Sequence, residues 1–202
     1  MDSDAPSRSR KYSPVPSRCE PTPPELGRIA THDRRGALDT IIQSAVVDLF
    51  HASDVAVAPV ERTRVRPERV QHQELAAAMH FTGRGFNGTL TVGVPPGVFA
   101  SVERAKARRL DGRDWVREVT NQVFGRLKRR LLQYHVELSA GLPSALNRDG
   151  FEREQKRAGF VVYAFRTLHG DIIVTLSGDI DHSVLAYYYA SNIPSEGDVI
   201  LF

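Results

Sequence analysis

The chain has 202 residues, of which 41% are hydrophobic and 25% charged, the balance of an ordinary soluble globular protein and enough for one domain with extensions. The formal net charge is +3, there is one cysteine (Cys19), and no apolar run approaches the roughly 20 residues that cross a bilayer. A disulfide framework, a cysteine metal cluster within the chain and a membrane-spanning helix are therefore excluded, and a start ("MDSDAPSRSRK") with no apolar segment behind its charges is not expected to be a secretory signal, so the expected compartment is the cytoplasm.

Residues 1–36 are rich in Pro, Ser and Arg, a composition that buries too little apolar surface to offset ordering entropy, so a disordered tail is expected. Residues 1–35 hold seven Arg/Lys and five Asp/Glu, a net of +2, so most of the basic balance lies outside the core. The folded domain is expected over residues 37–180, followed by an extension over 181–202. Leu38, Ile41, Ile42, Ala45, Val46, Leu49 and Phe50 recur at helical spacing and predict a first amphipathic helix. "DVAVAPVERTRV" alternates as a strand interrupted by Pro59.

"ELAAAMHFTGRGFNGTLTVGVPPG" predicts a hairpin whose turn chemistry comes from Gly83, Gly85, Asn87 and Gly88. "GVFASVERAKARR" predicts a helix, and Gly112 separates it from a longer one over residues 113–134. "HVELSAGLP" predicts a strand. "GFVVYAFRTL" and "DIIVTLSGDI" predict a second hairpin joined through "HGD", and the C-terminal segment, with Tyr187, Tyr188 and Tyr189, a strand-like extension. Short turns between the strands imply a mostly antiparallel sheet with helices on one face, including the long helix pair: an α+β domain. The sequence shows no internal repeat.

The long helix contains a second pattern. Val116, Val119, Val123 and Leu127 set its apolar stripe. At about 100° per residue, Asp114, Glu118, Asn121 and Gly125 gather on the opposite side, with Arg117 and Lys128 at its rim. Asn is a poor helix former, and Gly inside a helix costs about 1 kcal/mol relative to Ala. A face that serves only solvation has no use for either. Glu118 and Asn121, three apart, are surface neighbours, so a carboxylate and a carboxamide stand side by side with a missing side chain one turn along.

"DWVREVTNQVFGRLK" resembles the signature of the chemotaxis phosphatases that include CheX and CheC: Asp or Ser, three residues, Glu, two residues, Asn, then Gly four residues later. Asp114, Glu118, Asn121 and Gly125 fill those places. The "FTGRGFNGTLTVGVP" hairpin and the "LSAGLPSAL" segment are similar to the family's Gly-marked strand pair and Pro-bearing segment, and the resemblance runs from about residue 37 to 180. The motif occurs once, as in CheX, whereas CheC carries two. The resemblance implies a CheX/CheC-like α+β fold and hydrolysis of the aspartyl phosphate of a response-regulator receiver domain (CheY-like). Asn121 would position the attacking water and Glu118 would pair with a receiver lysine. Asp114, Arg117, Gly125 and Lys128 would form the partner-binding surroundings. It implies no cofactor of the chain's own, the divalent ion (Mg) arriving with the receiver, and a homodimer.

The rival readings are a receiver-binding adaptor that does not turn over and a nucleic-acid-binding protein. From Glu103 to Arg130 there are ten Arg/Lys against four Asp/Glu, but the aromatic residues there are not interleaved with the basic ones for base stacking, so no nucleic-acid partner is expected. No membrane partner is expected either. The seven histidines show no metal-ligand spacing with acidic or Cys partners, and "GRGFNG" lacks the following helix and Lys of a phosphate loop.

Overall fold

Every residue of the predicted apolar stripe of the first helix is buried: Leu38, Ile41, Ile42, Ala45, Val46, Leu49 and Phe50 all face the core from α1 (Asp33–His51). In the computed structural model, which describes residues 26–28, 33–60, 74–106, 111–157 and 159–189, that helix and a second long one, α3 (Gly112–Leu131), pack together over a mostly antiparallel sheet. The remaining elements are β1 (Leu26–Arg28), β2 (Ala58–Pro59), β3 (Leu75–Gly83), β4 (Phe86–Val94), α2 (Pro96–Lys106), β5 (Leu138–Ala140), β6 (Ser144–Leu146), α4 (Arg148–Gln155), β7 (Val161–Thr167), β8 (Gly170–Ile180) and β9 (Tyr187–Tyr189). The packed pair of long helices is α1 with α3, which are far apart in sequence.

The main sheet has the order β2-β7-β8-β4-β3-β5, and β6 also pairs with β3. One face alternates Ala77, Met79 and Phe81 on β3, Leu90, Val92 and Val94 on β4, and Ile172, Val174 and Leu176 on β8 into the helices. Tyr163 on β7 donates its hydroxyl to Asp39 Oδ1 on α1 at 2.8 Å, fixing that helix over the β7 side. The opposite face also holds buried residues: Thr89, Thr91, Thr175 and Ser177 lie in register across β4 and β8.

Several expectations shift. The β3–β4 turn is only Arg84–Gly85, with Gly85 at φ +73, while Gly83, Asn87 and Gly88 are ladder residues. Gly88 faces Gly178 in the β4–β8 ladder, where a Cβ on Gly88 would lie 2.2 Å from Ser177 O: this glycine serves strand approach, not a turn. The alternation from residue 54 yields only the short β2, and residues 61–73 lie outside the described ones. Neither β6 nor α4 is anticipated by the sequence pattern.

The expectation of a disordered tail falls mostly outside the described residues. Within that stretch β1 pairs antiparallel with β9, and α1 begins at Asp33. Leu185, in the 3-10 turn His182–Ala186, belongs to the main core, so the core continues past residue 180. Among the described residues no helix is long and apolar enough to cross a membrane.

Candidate functional site

Asp111 caps α3, its Oδ1 accepting from Arg113 N at 2.8 Å and Asp114 N at 3.0 Å. Asp114, in the first turn, pairs with Arg117 one turn on. From this start the helix buries Val116, Val119, Thr120, Val123, Phe124, Leu127 and Leu131. Thr120 is tolerated there because its hydroxyl donates to Val116 O at 2.8 Å. Phe81 of β3 meets Phe124 with ring centroids 5.9 Å apart. The helix is thus locked in rotation about its axis, which determines what it shows to solvent.

It shows the predicted set. Asp114, Arg117, Glu118, Asn121, Gly125 and Lys128 are all exposed. Among the described residues a Cβ built on Gly125 meets nothing within 4 Å, so the glycine answers no packing demand from them. Asn121 has no side-chain hydrogen bond among the described residues, and its amide is free to accept and donate.

Two residues of the set behave differently from expectation. Arg117 is engaged within the chain: Nη1 donates to Asp114 Oδ1 at 3.1 Å and Nε to the Pro143 carbonyl oxygen at 3.0 Å. Glu118 is steadied by a residue the sequence reading passed over, since Gln122 Nε2 donates to Glu118 Oε1 at 2.7 Å. The i,i+4 spacing of Glu118 and Gln122 was the signal available for it.

The flanks of the face are closed by different elements. On one side α1 packs against α3, with Arg130 paired to Asp48 of α1. On the other, the β5–β6 connection comes up to Arg117, and Asp111, Arg113, Asp114, Arg117, Pro143, Ser144 and Ala145 line an open cleft there. The basic stretch therefore divides: Arg117 and Arg130 form internal ion pairs, Lys128 stands exposed on the open arc, and residues 107–110 lie outside the described ones. Among the described residues no group of three or more His, Cys, Asp or Glu is arranged to hold a metal ion.

No protein-family model and no curated protein matches the chain. Solved structures do. A chemotactic CheC-like protein from Shewanella oneidensis superposes with a TM-score of 0.58 at 12% identity, covering 71% of this chain and 98% of the other. A chemotaxis protein CheX from Vibrio vulnificus gives 0.58 at 16% identity, covering 71% and 97%. A CheX-CheY-BeF3-Mg+2 complex from Borrelia burgdorferi gives 0.53 at 11% identity, covering 72% and 97%. The helix that carries Glu118 and Asn121 lies inside a domain whose architecture is that of these proteins over nearly their whole length: the chain has the CheC/CheX fold.

Proposed function

We propose that the chain is a phosphatase for the aspartyl phosphate of a CheY-like receiver domain, with the open face of α3 as its working surface. The observation that carries this reading is the free Asn121 amide beside the Gln122-held Glu118 carboxylate and the bare Gly125 backbone. The likeness to CheX, one example of which is in complex with CheY, supports a receiver as the partner.

The substrate is an acyl phosphate. A water oxygen attacks phosphorus in line, the bond from phosphorus to the aspartate oxygen breaks, the carboxylate leaves as a weak base, and the water's proton passes to the departing phosphate. No strong general acid is needed, and positioning of the water carries most of the work. Asn121 is suited to it because one amide accepts from and donates to a single water while staying neutral. Glu118 pairs with a receiver lysine and fixes the docking register. The divalent ion, Mg, would arrive with the receiver and would neutralise charge on the phosphoryl oxygens. A tenfold to thousandfold acceleration requires about 1.4 to 4 kcal/mol, within reach of one positioned amide.

Phosphate release from a panel of phosphorylated receivers tests the proposal. Acceleration over the receiver's spontaneous rate, lost in Asn121→Ala, is expected. Binding of a receiver without acceleration by the unaltered chain would make the protein an adaptor instead.

A further inference from the structure

Between β5 and β6 the chain carries a large apolar side chain that is left to solvent among the described residues: Leu142 is 87% exposed. The loop around it is held at both ends. Gly141 N donates to His80 O of β3 at 3.2 Å, and the Pro143 carbonyl accepts from Arg117 Nε at 3.0 Å. Arg117 is itself held by Asp114 at 3.1 Å. Arg117 and Asn121 are four residues apart, hence neighbours on the same flank of α3. A surface seated on Asn121 therefore meets the residue 141–143 loop next, across the open cleft that Pro143 and Ser144 help to line.

We propose that Leu142 is an apolar docking contact for the receiver domain bound at the Glu118/Asn121 face, and that Arg117 is the positioning residue that sets its loop. The inference rests on the phosphatase reading and adds to it the chemistry of the partner: a receiver with an apolar patch bordering its phosphoaspartate pocket. The charged and amide groups of α3 supply register, while Leu142 supplies affinity. Burying one leucine side chain is worth roughly tenfold to hundredfold in affinity. A loop already anchored at both ends loses little freedom when its side chain is covered.

The test compares the full chain with Leu142→Asp, Leu142→Ala, Arg117→Ala, the Arg117→Ala/Leu142→Ala double variant and Leu168→Asp. Leu168 is 94% exposed at the β7–β8 turn, across the sheet from β5 and β6, and serves as the control. KM and kcat for a phosphorylated receiver are measured, with Kd for the beryllofluoride-activated receiver and the oligomeric state of each variant. Leu142→Asp is expected to raise KM and Kd tenfold or more with kcat within about twofold. Arg117→Ala should shift KM in the same direction, and its effect should vanish in the Leu142→Ala background because the two act through one contact. Leu168→Asp should match the unaltered chain.

An active unaltered chain whose KM is unmoved by Leu142→Asp overturns this inference alone. A change in oligomeric state at unchanged KM overturns it too, by showing that Leu142 meets a second copy. An Arg117→Ala effect that stays additive removes the positioning role. No binding or hydrolysis by the unaltered chain on any receiver overturns this inference and the phosphatase reading together.

Discussion

Glu118 and Asn121 are exposed neighbours with different surroundings, and the difference separates their mutants. Asn121 holds nothing in place, and Ala has the higher helix propensity, so Asn121→Ala should unfold at the same temperature as the unaltered chain or slightly above it. It should still bind a receiver while phosphate release falls to the receiver's spontaneous rate. Glu118→Ala should lose affinity as well as rate, and its loss should shrink at high salt because the pairing it removes is itself screened. Full phosphatase activity in Asn121→Ala would sink the mechanism. That these two residues and Gly125 share one exposed face was legible from the helical period alone, because a rotation of about 100° per residue decides what shares a face. Gln122 and the Pro143 contact of Arg117 were not. The first depends on which of several i,i+3 and i,i+4 pairings a side chain takes, and the second joins residues 26 apart through a fold that no local pattern describes.

At the scale of the element, α3 is built to hold its first turns rigid while leaving one face bare. Asp111→Ala removes the acceptor for two backbone N–H groups and should cost about 1 kcal/mol in denaturant unfolding. Leu131→Ala, at a fully buried position, should cost about 2–5 kcal/mol. Gly125→Ala should do the reverse. Open space surrounds the position, so the change should add up to about 1 kcal/mol of stability while weakening receiver binding, and a bulkier Gly125→Gln should weaken it further. Destabilisation by Ala would show that the glycine serves packing after all. Helices and hairpins with several apolar repeats were readable for the same reason that they are stable. The eight-residue α4 was not: among its described side chains Phe151 is the one large fully buried one, and its start rests on Asn147 accepting from Gly150 N at 2.9 Å, a capping signal without a periodic stripe behind it.

Over the whole molecule the order β2-β7-β8-β4-β3-β5 is symmetric about the β8–β4 seam. Each half is a long helix, a short strand and a hairpin, and each gives its short strand to the other half's hairpin: β2 pairs with β7, and β5 with β3. The long helices end alike. Asp54 at φ +57 lets Val55 N reach Phe50 O at 2.9 Å, and His135 at φ +55 lets Val136 N reach Leu131 O at 3.1 Å. This repeat is invisible in the sequence because the halves share a pattern of burial and not of residues. At the seam that joins them the backbones approach closely. Gly178 lies at φ +125, and a Cβ there would stand 2.2 Å from Asn87 O and 2.6 Å from Gly88 Cα. Gly178→Ala therefore carries backbone strain of about 1–3 kcal/mol and forces the central strands apart as well. The same substitution that should raise the melting temperature at Gly125 should lower it by many degrees at Gly178, with the loss shared by both halves in one transition, since neither half keeps its outer strand without the other. Two separate unfolding steps in Gly178→Ala, or a melting temperature equal to that of the unaltered chain, would show that the halves do not depend on this seam.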